Sequence, residues 1–188
     1  MKDLRLETER LILRLPHIDD FEAYAELHAH ETAARYIGGT LPRPAAWRKF
    51  LQMPGAWSVQ GYAMFSVIEK SSGRWVGQAG PWQPEGWPGT EVGWAFHPAS
   101  WGKGYAMESA IVAIDWAFAN LGWSEVIHSI DPKNAASQAL ATRLGSSVLR
   151  QARMPAPYDD HITDIWGQSR EQWLARRTSL LSSGERVA

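Results

Sequence analysis

Hydrophobic and polar residues alternate along several short stretches of the chain, a period-two pattern that is typical of β-strands. A tight turn, "SSG", joins two such stretches, so these two strands are expected to be antiparallel neighbours. Pro16 closes the first strand, "RLILRL". Strands are predicted over residues 10–15, 62–70, 74–80, 90–96, 125–130, 147–154 and 161–168.

Apolar residues recur at helical spacing in the segments between these strands. The clearest case is 105–121, where apolar side chains follow the i, i+3, i+4, i+7 pattern of an amphipathic helix. Pro44 is suited to the first turn of a second helix, and Gly145 to the end of a third. Helices are predicted over residues 19–30, 44–53, 105–121, 134–145 and 169–181.

The order of these elements predicts the fold class. The strand, helix and strand over 90–130 imply a right-handed crossover between parallel strands, while the flanking pairs are expected to be antiparallel. The expectation is an α/β fold of the α+β type, with a mixed, mostly antiparallel sheet of about seven strands flanked by helices. A single domain over residues 1–181 is predicted, followed by a flexible tail over 182–188.

Composition narrows the functional classes. The net charge is −1 and basic residues are not clustered, which argues against a nucleic-acid partner. The N-terminal segment has no apolar leader and no stretch approaches 18 apolar residues, so a cytoplasmic protein without a membrane partner is expected. The chain has no cysteine, which excludes disulfides, thiolate metal sites and a cysteine nucleophile. No metal is expected, and either a monomer or a homodimer.

The segment 97–107, "HPASWGKGYAM", places Gly102 and Gly104 between a predicted strand and a predicted helix. Unpaired backbone N–H groups at a helix N-terminus bind anions, so the loop is a candidate phosphate site. A Walker A sequence is absent, and a dinucleotide fingerprint would need glycine where Met107 stands. A dinucleotide site is therefore the weaker alternative, and a glycine turn without a ligand is another.

The combination of motifs resembles the GNAT superfamily of N-acetyltransferases. "WGKGYA" at 101–106 is similar to the family's [Q/R]-x-x-G-x-[G/A] loop, with Trp101 where Gln or Arg is usual. "NAAS" at 134–137, followed by Leu140 and "RLG", resembles the signature of the ribosomal-protein N-terminal (Rim-type) branch, with Ser146 in place of the usual aromatic residue. The resemblance covers roughly residues 8–168.

The resemblance implies acetyl-CoA as a co-substrate. The alternation over 90–96 puts Glu91, Gly93 and Ala95 on one face, where the two small residues would let the pantetheine arm approach the backbone or would merely accommodate a neighbouring element. Lys133 and Arg143 would neutralise phosphates or be ordinary surface charges. The residues expected to bind acetyl-CoA are Trp94, Ala95, Phe96, Trp101, Gly102, Lys103, Gly104, Tyr105, Ala106, Asn134 and Ser137.

Without a cysteine or a G-x-S-x-G sequence, direct transfer in a ternary complex is the expected route. Glu91 is a candidate general base, or a solvated carboxylate at a strand end. His97 is a second candidate base, or a loop histidine, whereas His128 in an apolar strand is expected to belong to the core. The resemblance implies that Ser137 protonates the thiolate, and the alternative is that Ser137 caps or faces the first turn of its helix. Tyr158 is an alternative acid.

The acceptor is less well specified. The loop 81–89, "PWQPEGWPG", carries Trp82, Glu85 and Trp87, which would form the wall of an acceptor pocket or pack against one another. Residues 36–57 are the other region where the superfamily builds acceptor specificity. The resemblance favours a protein N-terminal α-amine. A small amine, such as an amino acid, polyamine or antibiotic, and a catalytically silent CoA-binding domain are the alternatives.

Overall fold

A computed structural model describes residues 4–159 and 162–182, which contain one mixed sheet of eight strands. The strands are β1 (Arg5–Glu7), β2 (Leu11–Arg14), β3 (Phe65–Glu69), β4 (Trp75–Trp82), β5 (Glu91–Phe96), β6 (Glu125–Ile130), β7 (Ser147–Arg153) and β8 (Ile162–Ser169). Their order across the sheet is β1-β2-β3-β4-β5-β6-β8-β7. All neighbours are antiparallel except β5 and β6, which run parallel.

Seven α-helices accompany the sheet within the described residues. They are α1 (Phe21–Ala29), α2 (Glu31–Ala34), α3 (Arg43–Phe50), α4 (Gln52–Gln60), α5 (Tyr105–Asn120), α6 (Ala135–Leu144) and α7 (Arg170–Ser182). Two short 3-10 turns, Ile18–Asp20 and Pro98–Ser100, precede α1 and follow β5. Helix α5 provides the crossover between the two parallel strands, and none of the helices described is long and apolar enough to cross a membrane.

The predicted fold class is confirmed, with several differences in detail. The eighth strand is β1, which has three residues and pairs with β2. The helix predicted over 44–53 is instead the pair α3 and α4, which meet at Leu51. Pro54 explains the interruption, because it has no N–H to donate to the Phe50 carbonyl of a continuous helix. The predicted tail begins at Ser182, which ends α7, and its other residues lie outside the described part of the chain.

The strand predicted to end at Gly80 continues to Trp82, so the loop that was predicted over 81–89 begins later. Pro81 is tolerated because β4 pairs with β3 only as far as Ala79 and because Pro81 faces Val92, whose backbone groups point away from β4. As a result Trp82 lies directly opposite Glu91 in the β4–β5 ladder.

The two faces of the sheet pack against different helices. Val67 belongs to the core that includes α4 and α5, whereas its neighbour Ile68 belongs to the core built around α1 and α3. This alternation is the period-two pattern read from the sequence. It also divides β5, because Val92 packs on the α5 side and Ala95 on the α1 side.

Candidate active site

The parallel strands β5 and β6 separate soon after they begin. Among the described residues their ladder has one register pair, Glu91 with Ile127, and the Ile127 N–H donates to Thr90 O at 2.9 Å. Alternate residues of a strand point their backbone groups to the same edge, so Val92, Trp94 and Phe96 also face β6. The two strands therefore enclose a wedge that opens towards their C-terminal ends, with the backbone of Trp94 along one side.

A glycine loop lies at the wide end of the wedge. Gly102 and Gly104 have φ angles of 75° and 79°, and α5 begins directly afterwards at Tyr105 with no side chain capping its N-terminus. A Cβ at Gly102 would meet nothing within 4 Å, so the space above the loop is open. No side chain of the described residues caps the first-turn N–H groups of α5, and this arrangement fits a pyrophosphate such as that of CoA.

Trp101 anchors this loop to the strand. Its indole N–H donates to Phe96 O at 2.9 Å, and its ring packs edge-on against His30, with 6.4 Å between centroids. The tryptophan that departs from the usual motif thus has a structural role at the strand end. The Tyr105 hydroxyl bonds Glu69, and the Lys103 ammonium lies 3.5 Å from the same carboxylate. The side chains of Lys103 and Tyr105 therefore turn towards β3.

On the other side of the wedge, the start of α6 is tied to β5. Asn134 Oδ1 accepts the Ser137 N–H at 3.2 Å and so caps the helix. The Trp94 indole N–H donates to Ser137 Oγ, also at 3.2 Å. Because an indole can only donate, Ser137 Oγ is the acceptor and its own proton remains available for donation to another group. This geometry suits the acid role implied by the resemblance.

Glu91 lies at the narrow end of the wedge and is only 7% exposed. Its carboxylate accepts from Trp87 Nε1 at 2.5 Å and from Ser129 Oγ at 2.7 Å. Burial raises the pKa of Glu91 to about 7, although the two hydrogen bonds lower it. The group is therefore a buried carboxyl that changes protonation near neutral pH and not a solvated carboxylate.

The small residues beside Glu91 do not leave an empty face. A Cβ at Gly93 would lie 2.6 Å from Met64 Cε and 3.1 Å from Glu91 Oε1. Ala95 packs against the core of α1 and α3. The glycine therefore accommodates Met64 and the Glu91 carboxylate, which is the structural alternative that the sequence had left open.

The two histidines considered from the sequence occupy different settings. His97 Nδ1 accepts the Ala99 N–H, and its Nε2 lies 3.5 Å from Glu26. It follows the far end of β5, about 20 Å from Glu91 at 3.3 Å per residue, so the structure does not bring these two residues together. His128 is buried in the core as expected, with Nδ1 2.7 Å from Val92 O. Burial lowers the pKa of His128 to about 4.

Ser146, which replaces the usual aromatic residue, belongs to a buried polar network. Its Oγ lies 3.0 Å from His128 Nε2 and accepts from Gln168 Nε2 at 3.0 Å. The Trp94 ring packs on His128 with 4.8 Å between centroids. The network therefore holds the His128 ring in place against the Trp94 ring. At Ser146, hydrogen bonds take the place of the contacts that the usual aromatic residue would make.

The three residues that were proposed for an acceptor pocket in the loop 81–89 occupy different positions relative to Glu91. Trp87 bonds Glu91 directly and Trp82 lies across the ladder from it, whereas Glu85 is exposed in the turn before Trp87. Lys133 is exposed beside Asn134, and Arg143 lies near the opposite end of α6, roughly 13 Å away at 1.5 Å per residue. Of these two cations, only Lys133 is near the glycine-loop end of the site.

Sequence reasoning missed Ser129 and a polar group made by Tyr24, His28 and Lys49. Ser129 lies on the same face of β6 as Ile127, but the register that brings it to Glu91 depends on a pairing across 38 positions. Among the described residues, no group of three or more His, Asp or Glu could hold a metal ion.

A wedge between parting parallel strands, with a glycine loop and a helix N-terminus at its mouth, is an arrangement suited to an extended ligand that carries a phosphate. The acetyltransferase (GNAT) domain family matches residues 10–147, and the chain belongs to this family. The acetyltransferase structure from Agrobacterium tumefaciens str. C58 is 28% identical, covers 90% of this chain and 96% of its own, and superposes with a TM-score of 0.79.

Other relatives do not specify the acceptor. The uncharacterized protein YkkB of Bacillus subtilis is 32% identical over 100 residues, which is 50% of this chain and 58% of YkkB. The matched stretch therefore spans little more than half the length of that relative. The structure of ribosomal-protein-S5-alanine acetyltransferase from Vibrio fischeri is 17% identical, covers 91% of this chain and 99% of its own, and has a TM-score of 0.64. At that identity the likeness concerns the fold alone.

Proposed function

We propose that the chain transfers the acetyl group of acetyl-CoA directly to a primary amine bound in the same complex. The observation that carries this proposal is that the same wedge contains a group that can accept a proton and a group that can donate one. Glu91, with a pKa of about 7, is placed to accept a proton, and Ser137 has a hydroxyl proton to give. Both side chains are held by indole N–H groups, those of Trp87 and Trp94.

Acetyl-CoA would bind with its pyrophosphate on the backbone N–H groups of 101–106 and of the first turn of α5. The extended arm would lie in the wedge along β5, where the Trp94 backbone faces β6. A β5 N–H group donating to the thioester oxygen would stabilise the negative charge that develops there. In this arrangement the reacting carbonyl would lie between Glu91 and Ser137.

The proton and bond changes balance in this scheme. The amine nitrogen forms a bond with the acetyl carbon and loses a proton to the Glu91 carboxylate. The carbon–sulfur bond breaks, and the departing thiolate takes the hydroxyl proton of Ser137. Ser137 regains a proton from water and Glu91 releases to water the proton that it took from the amine, so both groups return to their starting states. The chain has neither a cysteine nor a G-x-S-x-G sequence, so no feature supports a covalent acyl-enzyme, and we propose that the acetyl group passes to the amine in one transfer.

The pKa of Glu91 favours an α-amine as the acceptor. A protein N-terminal α-amine titrates at about 7.7–8.0, close to the value of about 7 for Glu91, so proton transfer between them is nearly balanced. A lysine-like amine at about 10.4 would hold its proton roughly three units more tightly. We therefore favour an N-terminal α-amine over an alkyl amine, in agreement with the branch that the motifs resemble.

The test is thiol release from acetyl-CoA with a panel of N-terminal peptides and small amines. We expect turnover by the native chain, a large loss in Glu91→Gln and Ser137→Ala, and no loss in the matched control Glu125→Gln, whose carboxylate is exposed at the start of β6. Acetyl-CoA binding without turnover on any acceptor would identify a silent binding domain. Thermal stabilisation by NAD and not by acetyl-CoA would favour the dinucleotide alternative.

A further inference from the structure

A cluster of polar side chains lies under α1 and α3, on the same face of the sheet as Glu91. It is formed by Tyr24 and His28 of α1, Lys49 of α3 and Tyr158 of the loop between β7 and β8. The Tyr24 and His28 rings are 4.6 Å apart between centroids, and Lys49 Nζ is 5.6 Å from the centroid of Tyr158. We call these four residues the polar cluster.

Three buried atoms of the polar cluster have no hydrogen-bond partner among the residues described. They are Tyr24 Oη and both ring nitrogens of His28, in side chains that are 1% and 0% exposed. Burying a polar group without a partner costs stability, and such groups in a native structure call for an explanation. A ligand atom that bonds these groups would remove that cost.

Lys49 gives the polar cluster its charge. Its ammonium donates to Ile37 O at 2.5 Å, and within residues 4–159 and 162–182 it has no carboxylate at ion-pair distance. Burial lowers the pKa of Lys49 to about 8, so the group remains mainly cationic at neutral pH. Burial and then the nearby Lys49 lower the pKa of His28 to about 3, so His28 is neutral and can both donate and accept. A half-buried cation without a counter-ion attracts an anion strongly, because the surrounding dielectric is low.

The polar cluster is continuous with the proposed catalytic site. The Tyr158 ring packs edge-on against the Trp87 ring at 6.3 Å between centroids, and Trp87 bonds Glu91. Gly38, at a φ of 102°, leaves room here, because a Cβ would lie 2.8 Å from Tyr158 Cε1 and 3.5 Å from Lys49 Nζ. The Trp87 and Tyr158 rings therefore form a continuous set of contacts between the Glu91 carboxylate and the Lys49 ammonium.

We propose that Lys49, together with Tyr24, His28 and Tyr158, binds a carboxylate of the amine acceptor while Glu91 faces its amine. This inference rests on the proposed acetyl transfer and narrows its substrate class to amines that carry a carboxylate. Polyamines and polycationic antibiotics are disfavoured, because a second ammonium would meet the Lys49 charge. The carboxylate can belong to a small molecule or to an acidic side chain close to a peptide N-terminus.

The test compares acceptors that differ only in the anionic group. For small molecules, glycylglycine is compared with glycylglycinamide, which share the same α-amine, and for peptides, N-terminal Ser-Glu is compared with Ser-Gln. In one of the two pairs we expect the native chain to favour the carboxylate member by about 10–100-fold in kcat/KM, which is the usual effect of a hydrogen bond to a charged group. The pair that shows this preference identifies the source of the carboxylate.

Lys49→Met should reduce that preference to near unity without changing the KM for acetyl-CoA. The matched control is Arg48→Met, which removes a cation from the adjacent, exposed position of α3 and should leave the preference intact. Tyr24→Phe provides a second readout, because it removes an unbonded buried hydroxyl. It should raise the melting temperature and still lower kcat/KM for the carboxylate acceptor, a combination that a merely structural role would not produce.

The outcomes separate the two proposals. Equal rates with both members of each pair, or a preference that survives in Lys49→Met, would overturn the carboxylate site while leaving acetyl transfer standing. If no amine is acetylated, thermal shift with succinate is decisive. Stabilisation of the native chain that is lost in Lys49→Met would support an anion site without the proposed reaction, and no stabilisation would overturn the site as well.

Discussion

Trp94 donates its indole N–H to Ser137 Oγ at 3.2 Å and so joins strand β5 to the first turn of α6 across the wedge. This single hydrogen bond assigns the serine oxygen as an acceptor and orients its own proton away from the tryptophan. The hydroxyl group of Ser137, the proposed acid, is therefore positioned by Trp94 of β5. We regard Trp94 as a positioning residue and Ser137 as the group that touches the leaving thiolate.

The first prediction separates these two roles. Ser137→Ala should lower kcat by about 100-fold, the usual contribution of a positioned acid, and Trp94→Phe by about 3–10-fold, the worth of one hydrogen bond. In the Ser137→Ala background, Trp94→Phe should cost almost nothing, because the bond it removes no longer exists. Steady-state kinetics of the four proteins measure this cycle, and additive losses would show that Trp94 acts independently of Ser137.

The second prediction concerns the pH dependence of the reaction. Activity should rise as pH increases through about 7, where Glu91 loses its proton and becomes able to accept one from the amine. In Glu91→Gln, kcat/KM should fall by about 100-fold and this rise should disappear. A pH profile of kcat/KM with one acceptor measures both effects, and an unchanged rise in the variant would assign the titration to another group.

The third prediction concerns Ser129 and uses the same pH profile of kcat/KM. Its hydroxyl donates to the Glu91 carboxylate at 2.7 Å and lowers the pKa of that group. Ser129→Ala should therefore move the rise in activity to higher pH while leaving the plateau rate nearly unchanged. The conservative variant Ser129→Thr keeps a hydroxyl and should restore the native profile. A lower plateau without a shift would mean that Ser129 contributes in a different way.

The features read correctly from the sequence depend on interactions between residues close in the chain. The turn at Gly102 and Gly104 and the capping of α6 by Asn134 each depend on residues within a few positions, so their patterns are visible locally. The helix predicted over 44–53 stopped before Pro54, and the sequence predicted neither the break at Leu51 nor the continuation of α4 through Pro54 to Gln60. Local rules thus account for the sheet order around α5 and for the glycine loop.

The contacts that were not predicted from the sequence join residues that are far apart along the chain. Glu91 meets Ser129 only because β5 and β6 pair in one register, and Lys49 meets Tyr158 only because α3 lies over the loop after β7. The burial that raises the pKa of Glu91 is likewise a product of packing, whereas the sequence shows only a carboxylate at a strand end. Neither periodicity nor composition contains this information.

The fourth prediction follows from the same burial and concerns stability. The native pKa of Glu91 is about 7 and lies above its ordinary value of 4.5, so the native state binds the extra proton between these values. The contribution of Glu91 to stability is therefore full below pH 4.5 and is lost as pH rises through about 7. Relative to Glu91→Gln, the native chain should lose about 3 kcal/mol over this range, at 1.36 kcal/mol per pKa unit.

Urea unfolding of both proteins at pH 4.5, 6 and 8 measures this difference. His28 and His128 have lowered pKa values, so their contributions are present above pH 6.5 and are lost as pH falls towards 4. Both histidines are retained in Glu91→Gln, so their effect cancels when the two proteins are compared. A constant difference in the free energy of unfolding across the three pH values would contradict a raised pKa for Glu91.

The last prediction tests whether the glycine loop binds the phosphates through its backbone. Gly102→Ala places a Cβ in open space, so the direct cost to folding is the strain of a φ of 75°, about 1 kcal/mol. Gly122→Ala is the matched control, with a φ of 66°, open space around it and a position at the far end of α5.

Both variants should lose similar stability in urea unfolding, because the strain is the same. Only Gly102→Ala should raise the KM for acetyl-CoA, by about tenfold, since a relaxed loop turns its N–H groups away from the pyrophosphate. An equal KM in the two variants would show that the phosphates are held elsewhere.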